Sequence, residues 1–209
     1  MTKVKICGVR DVETMQLCAN LAVDWVGFVF HPASPRYVLP EQARLLHESV
    51  SDVLAPSRVG LFVKADDRTI ERTLQTVPLN VLQIYDSVER AKEIRSRFGL
   101  PVWLARGVKS FSDLPIQADV DGYVIEAPRQ AGDDRPGGLG RTFDWTLTRK
   151  WKAPAFWMLA GGLTPFNVQE ALNASSAPAV DVSSGVESQV GEKSHKLIEQ
   201  FVEKARIRG

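Results

Sequence analysis

Eight short runs of apolar, β-branched and aromatic residues recur along this chain with helix-like stretches between them, and that alternation predicts a closed parallel (β/α)8 barrel of the TIM type. The runs fall at 4–7, 25–30, 58–63, 81–85, 101–105, 122–126, 156–160 and 179–182. One run per ~26 residues leaves room for one strand and one helix each. No low-complexity linker or break in composition divides the 209 residues, so a single domain over 1–209 is expected. A doubly wound open sheet is the main competitor. It needs a glycine-rich dinucleotide turn after its first strand, and the segment from Lys5 to Arg10 is not one.

The elements follow in order. The first run closes as Lys5-Ile6-Cys7-Gly8, a strand ending in a thiol, with a glycine that lets the chain turn away. Residues 11–22 place Val12, Met15, Cys18 and Leu21 on one helical face, and 191–206 place Leu197, Ile198, Phe201 and Val202 likewise. Helix starts are marked by Pro40 with Glu41, by Ser87 before Val88, and by Thr164-Pro165, an N-cap with proline in the first turn. Residues 109–114 are short and weakly helical. Residues 127–143 carry Gly132, Gly137, Gly138 and Gly140 and no periodicity. A loop of that length in a compact domain is usually functional, and its place after Glu126 makes it a candidate lid.

Charge excludes some functions. With 26 basic and 25 acidic residues, nothing marks a nucleic-acid groove or an acidic partner. Two cysteines are no disulfide framework, which points to a reducing compartment. Cys7, Cys18, His31, His47 and His195 show no metal-ligand spacing, and the three histidines read as surface residues. No signal-type apolar segment opens the chain, and no apolar run nears the ~20 residues of a membrane span, so a cytoplasmic location is expected.

Barrel chemistry sits at the C-terminal rim, so strand exits matter most. The first strand ends in Cys7. The second runs into His31-Pro32-Ala33-Ser34-Pro35-Arg36-Tyr37, which presents a guanidinium suited to a planar carboxylate. The fourth ends Gln83-Ile84-Tyr85-Asp86, and Gln83 and Tyr85 are candidate substrate-binding residues. The sixth ends in Glu126. After the seventh comes Gly161-Gly162 and after the eighth Ser183-Ser184-Gly185, small residues that let backbone N–H groups approach an anion. Two such loops on the last strands of a barrel form its usual phosphate site. Strand alternation turns Lys5 and Asp181 inward with Cys7, so a Lys5–Asp181 ion pair below the thiol is expected, with a plug of the barrel floor as the alternative role for Lys5.

The segments KICG at 5–8, GFVF at 27–30, SPRYV at 34–38, VGLFV at 59–63, GGLGRTFDW at 137–145, LAGGLTPFNV at 159–168 and VDVSSGVE at 180–187 resemble the phosphoribosylanthranilate isomerase family. The resemblance runs from end to end. It implies a cofactor-free Amadori rearrangement of N-(5-phosphoribosyl)anthranilate to 1-(2-carboxyphenylamino)-1-deoxyribulose 5-phosphate, by a monomer or homodimer. It also implies Cys7 as general base, Arg36 as carboxylate ligand, Asp181 in the lower site and the two small-residue loops as phosphate ligands. Two positions depart from the family pattern: Glu126 stands where an aspartate acid is usual, and Gln83-Ile84-Tyr85-Asp86 where Q-L-H-G is usual. Two other readings compete. A related aminoaldose isomerase of the histidine pathway would have aspartates at strands one and five, where this chain has Cys7 and Ala105. A non-catalytic phosphate-binding barrel would explain Glu126 and Tyr85 as decay.

Overall fold

In the computed structural model of the protein, residues 1–51, 53–128, 130, 132 and 140–207 are described. Eight parallel strands close into a barrel in chain order: β1 (Lys3–Cys7), β2 (Trp25–Val29), β3 (Ser57–Val63), β4 (Val81–Tyr85), β5 (Val102–Gly107), β6 (Gly122–Glu126), β7 (Phe156–Leu159) and β8 (Ala179–Val182). Helices α1 (Val12–Asn20), α2 (Pro40–Glu48), α3 (Asp67–Thr76), α4 (Val88–Phe98), α5 (Val168–Ser175) and α6 (His195–Arg206) pack outside. Each expected strand is present, with ends that shift by one or two residues. The largest shift is in β5, which runs on to Gly107 and leaves Ala105 inside the strand.

The helices depart more. After β5 and β6 the described residues hold only 3-10 turns, Phe111–Asp113 and Trp145–Thr148. The sequence marks α1, α3, α4 and α6 chemically: Asp11, Asp66, Ser87 and Ser194 each accept a backbone N–H from three residues on. Proline opens α2. Thr164-Pro165 instead starts a turn, in which the Phe166 N–H donates to Thr164 Oγ1, and α5 begins only at Val168. The expected helix over 191–206 starts at His195. The preceding residues form an antiparallel hairpin, β9 (Glu187–Gln189) and β10 (Glu192–Lys193). Gly191 at φ +85° turns that hairpin, a conformation that disfavours other residues.

Two large apolar bodies hold the fold, beside a small cluster of Cys7, Val29 and Leu61. One lies between barrel and helices and includes Ile6, Phe28, Phe62, Ile84, Leu104, Phe201 and Val202. The other fills the barrel with Val59, Val81, Trp103, Val124 and Met158. Trp25, Trp103 and Phe156 meet with ring centroids 5.2–5.5 Å apart. These aromatic rings, drawn from the N-terminal ends of their strands, plug the barrel floor. Lys5, the register partner of Trp25 on β2, is bonded to the polar side chains of Asp181 and Gln83.

Candidate active site

Cys7 lies at the exit of β1, and its register neighbour across β2 is Gly27. A Cβ at Gly27 would stand 2.8 Å from Cys7 Sγ, so the small residue makes room for the thiol. Gly8, at φ +78°, then turns the chain out of the strand, as its position required.

Below the thiol, Lys5 is fully buried and its Nζ lies 2.9 Å from Asp181 Oδ2. The pair forms because β1 and β8 place Lys5 directly opposite Asp181. Lys5 also donates across the barrel to Gln83 Oε1 at 2.8 Å. Burial works against the Lys5 charge, but Asp181 and the Cys7 thiolate outweigh it and hold the pKa above its usual value. Asp181 Oδ1 is buried with no hydrogen-bond partner among the described residues. An ionised oxygen in that state is costly unless a ligand supplies a donor.

Glu126 closes β6 beside the cavity and is nearly buried. Burial, together with repulsion from Asp181, raises its pKa to about 8, against smaller opposing effects of Tyr85 and Lys5. The carboxyl is thus protonated at neutral pH and able to give a proton. Tyr85 Oη donates to Glu126 Oε2 at 3.3 Å and accepts a longer contact, 3.5 Å, from Gln83 Nε2. The two departures from the family pattern, at 85 and 126, therefore touch.

Arg36, expected to present its guanidinium to a carboxylate, already holds one from the protein. It is nearly buried, and Glu187 of β9 grips it through Nε–Oε1 at 2.6 Å and Nη2–Oε2 at 2.8 Å. Lys193 of β10, also buried, donates to Glu187 Oε1 at 2.9 Å and to the Ser183 carbonyl at 2.9 Å. Despite burial, these cations hold the Glu187 pKa at about 2. One edge of the guanidinium is used up. The Nη1 edge remains for a second planar anion, with no partner among the described residues. The trio carries a net charge of +1, which favours an anionic ligand.

A cavity opens at this rim. Cys7, Arg36, Tyr85, Glu126 and Asp181 line it, and so do Gly161, Gly162, Ser183, Ser184 and Gly185. Gly161 and Gly162 have φ +83° and +65°. A side chain at Gly185 would collide with the carbonyl oxygen of Leu163, so the loops after β7 and β8 close on each other only because that residue is glycine. Of the residues expected in the site, Gln83 alone stands apart: it is fully buried beneath the cavity and braces Lys5 and Tyr85. His31, read as a surface residue, lines the cavity. His47 is half-buried against Arg58, and His195 is exposed near Thr14. Glu187 and Lys193 were not anticipated. A glycine between two short polar runs was the available signal for their hairpin. The central part of the candidate lid, residues 133–139, lies outside the described residues. No group of His, Cys, Asp and Glu arranged to hold a metal occurs among the described residues, and none of their helices is long and apolar enough to cross a membrane.

A family model described as N-(5'-phosphoribosyl)anthranilate (PRA) isomerase matches residues 4–204. The chain belongs to this family. A relative named N-(5'-phosphoribosyl)anthranilate isomerase, from Acidiphilium cryptum, is 49% identical over 203 residues, covering 97% of each chain. The crystal structure of phosphoribosyl anthranilate isomerase from Thermotoga maritima is similar with TM-score 0.82 and 32% identity, covering 99% of each chain. A family structure in complex with reduced 1-(o-carboxyphenylamino)-1-deoxyribulose 5-phosphate has TM-score 0.81 at 32% identity and the same coverage. The barrel and its end-to-end correspondence with the family agree with the reading from the motifs.

Proposed function

We propose that Cys7 and Glu126 act as base and acid in the rearrangement that family membership gives this chain. The chain is an enzyme of tryptophan biosynthesis that isomerises N-(5'-phosphoribosyl)anthranilate to 1-(2-carboxyphenylamino)-1-deoxyribulose 5-phosphate. One observation carries the assignment of roles. A thiol on β1 and a neutral carboxyl on β6 face one cavity, flanked by a guanidinium with a free edge and by two glycine-bearing loops.

The chemistry follows from those groups. The substrate phosphate docks against the backbone of Gly161, Gly162, Ser184 and Gly185, where small side chains let N–H groups approach its oxygens. The anthranilate carboxylate takes the Nη1 edge of Arg36, which Glu187 holds in place from behind. A sugar hydroxyl donates to the unpartnered Asp181 Oδ1. Glu126 then protonates the ribose ring oxygen as the C1′–O bond breaks, and the anilino nitrogen stabilises the opened form as a Schiff base. Cys7 removes the acidified C2′ proton to give an enolamine. The enolamine becomes the ketone when the 2′-hydroxyl proton is lost and C1′ gains one.

Burial pushes the Cys7 thiol above its usual pKa, and Asp181 adds to that, while Lys5, Lys193 and Arg36 pull it back. The base therefore works through a minority thiolate, favoured by three nearby cations. The test is turnover of freshly generated phosphoribosylanthranilate by Glu126→Gln. That variant is expected to be nearly inactive while still binding a product analogue. Turnover at the wild-type rate would remove Glu126 from the mechanism and move the acid to Asp181. Absence of turnover by the wild type would favour a phosphate-binding barrel without activity.

A further inference from the structure

Tyr85 lines the cavity beside Glu126, and the mechanism assigns it no task. Its phenol is half-buried, but its hydroxyl points inward and makes the contact with Glu126 Oε2 at 3.3 Å. No other side-chain hydrogen bond to the Glu126 carboxyl is made among the described residues. Behind it the hydroxyl meets Gln83 Nε2, and Gln83 Oε1 is tied to Lys5 Nζ at 2.8 Å. The hydroxyl is thus supported from a fully buried, ion-paired layer rather than from solvent.

We propose that Tyr85 is the positioning residue of the acid: its hydroxyl fixes the rotamer of the Glu126 carboxyl so that one oxygen faces the ring oxygen of the substrate. The inference rests on Glu126 being the acid. A glutamate carries one more rotatable bond than an aspartate, so its carboxyl sweeps a larger arc, and ~1 Å of misplacement can cost about a hundredfold in rate. Tyr85 Oη takes hold of Oε2, which leaves Oε1 to carry the proton towards the cavity. The phenol can donate throughout the working pH range, because burial and the neighbouring carboxylates hold its own pKa well above the usual tyrosine value.

Tyr85 and Glu126 also line a second, shallower depression, with Val63, Lys64, Ala105 and Gly107. Tyr85, Glu126 and Val63 line both that depression and the catalytic cavity, so they lie between the two. This geometry separates two effects by mutation. Tyr85→Phe keeps the ring between the two and removes only the hydroxyl. Tyr85→Ala removes both.

The experiment is a set of steady-state measurements on Tyr85→Phe, Glu126→Asp and the double variant, with the Glu126 carboxyl of wild type and Tyr85→Phe titrated by carbon-13 NMR. Tyr85→Phe is expected to lower kcat by roughly 10- to 100-fold with KM within about threefold of wild type. Its Glu126 titration should move upward, because a hydrogen bond that favoured the carboxylate is gone. The shorter side chain of Glu126→Asp cannot reach Tyr85 Oη in the same way. Adding Tyr85→Phe to it should therefore cost little more, and the two changes should not add. Unchanged kcat and unchanged titration in Tyr85→Phe, with Glu126→Gln inactive, would overturn the positioning role while leaving the acid assignment standing. Full additivity in the double variant would also overturn it. A Glu126→Gln enzyme of normal activity would instead remove the acid reading itself.

Discussion

Replacing Glu187 by glutamine tests whether the β9–β10 hairpin is part of the site. The carboxylate takes Arg36 Nε and Nη2 at 2.6 and 2.8 Å, Lys193 Nζ at 2.9 Å and the Gly191 N–H at 3.1 Å. All three charged side chains are at most 5% exposed. Glutamine keeps the shape but removes the anion, and it turns one NH2 group towards a donor. Two buried cations are then left without a counter-charge. Losing one partner of a buried pair costs about 3–5 kcal/mol. In a chain of this size each kcal/mol moves Tm by about 2–4 °C, so the melt should fall by roughly 6–20 °C at pH 7. The pH dependence follows from the direction of the shift. The folded pKa of Glu187, about 2, lies below the unfolded value, so its contribution is complete above the unfolded pKa and is lost as pH falls through about 2. The difference in Tm between wild type and variant, followed by calorimetry from pH 7 to pH 3, should shrink towards acid. The KM for substrate should rise as well, because Arg36 loses its support. A Tm within 2 °C of wild type at pH 7 would refute the reasoning, and so would a difference that does not change with pH.

Cys7→Ser should lower kcat by about 10²-fold or more, since a hydroxyl is scarcely ionised near neutrality; steady-state turnover close to wild type would remove Cys7 as base. Arg36→Lys keeps a charge but loses the fork that holds Glu187 with one edge and a carboxylate with the other. Product-analogue affinity measured by calorimetry should weaken by about 1–3 kcal/mol, and an unchanged affinity would count against the assignment. Lys5→Met takes away the main cation lowering the Cys7 pKa, so the thiol should titrate higher with an alkylating reagent in the folded variant; no change would leave Lys5 purely structural. The activity needs Cys7 as thiolate and Glu126 as acid, with one pKa raised above the ordinary thiol value and the other at about 8. The profile of kcat/KM against pH should thus be a bell with its maximum above about pH 8, and a maximum near pH 6 would contradict it.

What could be read from the chain alone was whatever a local pattern encodes. Strand positions were legible because each barrel strand is an apolar run bounded by polar residues. Cys7 and Glu126 stood out because each ends such a run. The Lys5–Asp181 pair was also legible, since alternation along a strand decides which way a side chain points, and that needs no knowledge of neighbours. The tertiary structure decided the rest, for one physical reason: a buried charge takes its meaning from partners distant in sequence. The partner of Arg36 was not legible because Glu187 lies 151 residues away, on a hairpin whose second strand falls within the stretch expected to be helical. Gln83 looked like a ligand residue until the barrel placed Lys5 across from it, 78 residues away. Thr164-Pro165 carried the chemistry of a cap, but its groups are engaged in a turn with Phe166 and Asn167, and α5 starts at Val168. Tyr85 and Glu126 were each visible as departures from a motif; only closure of the barrel, which brings β4 and β6 to one rim, showed that the two side chains meet.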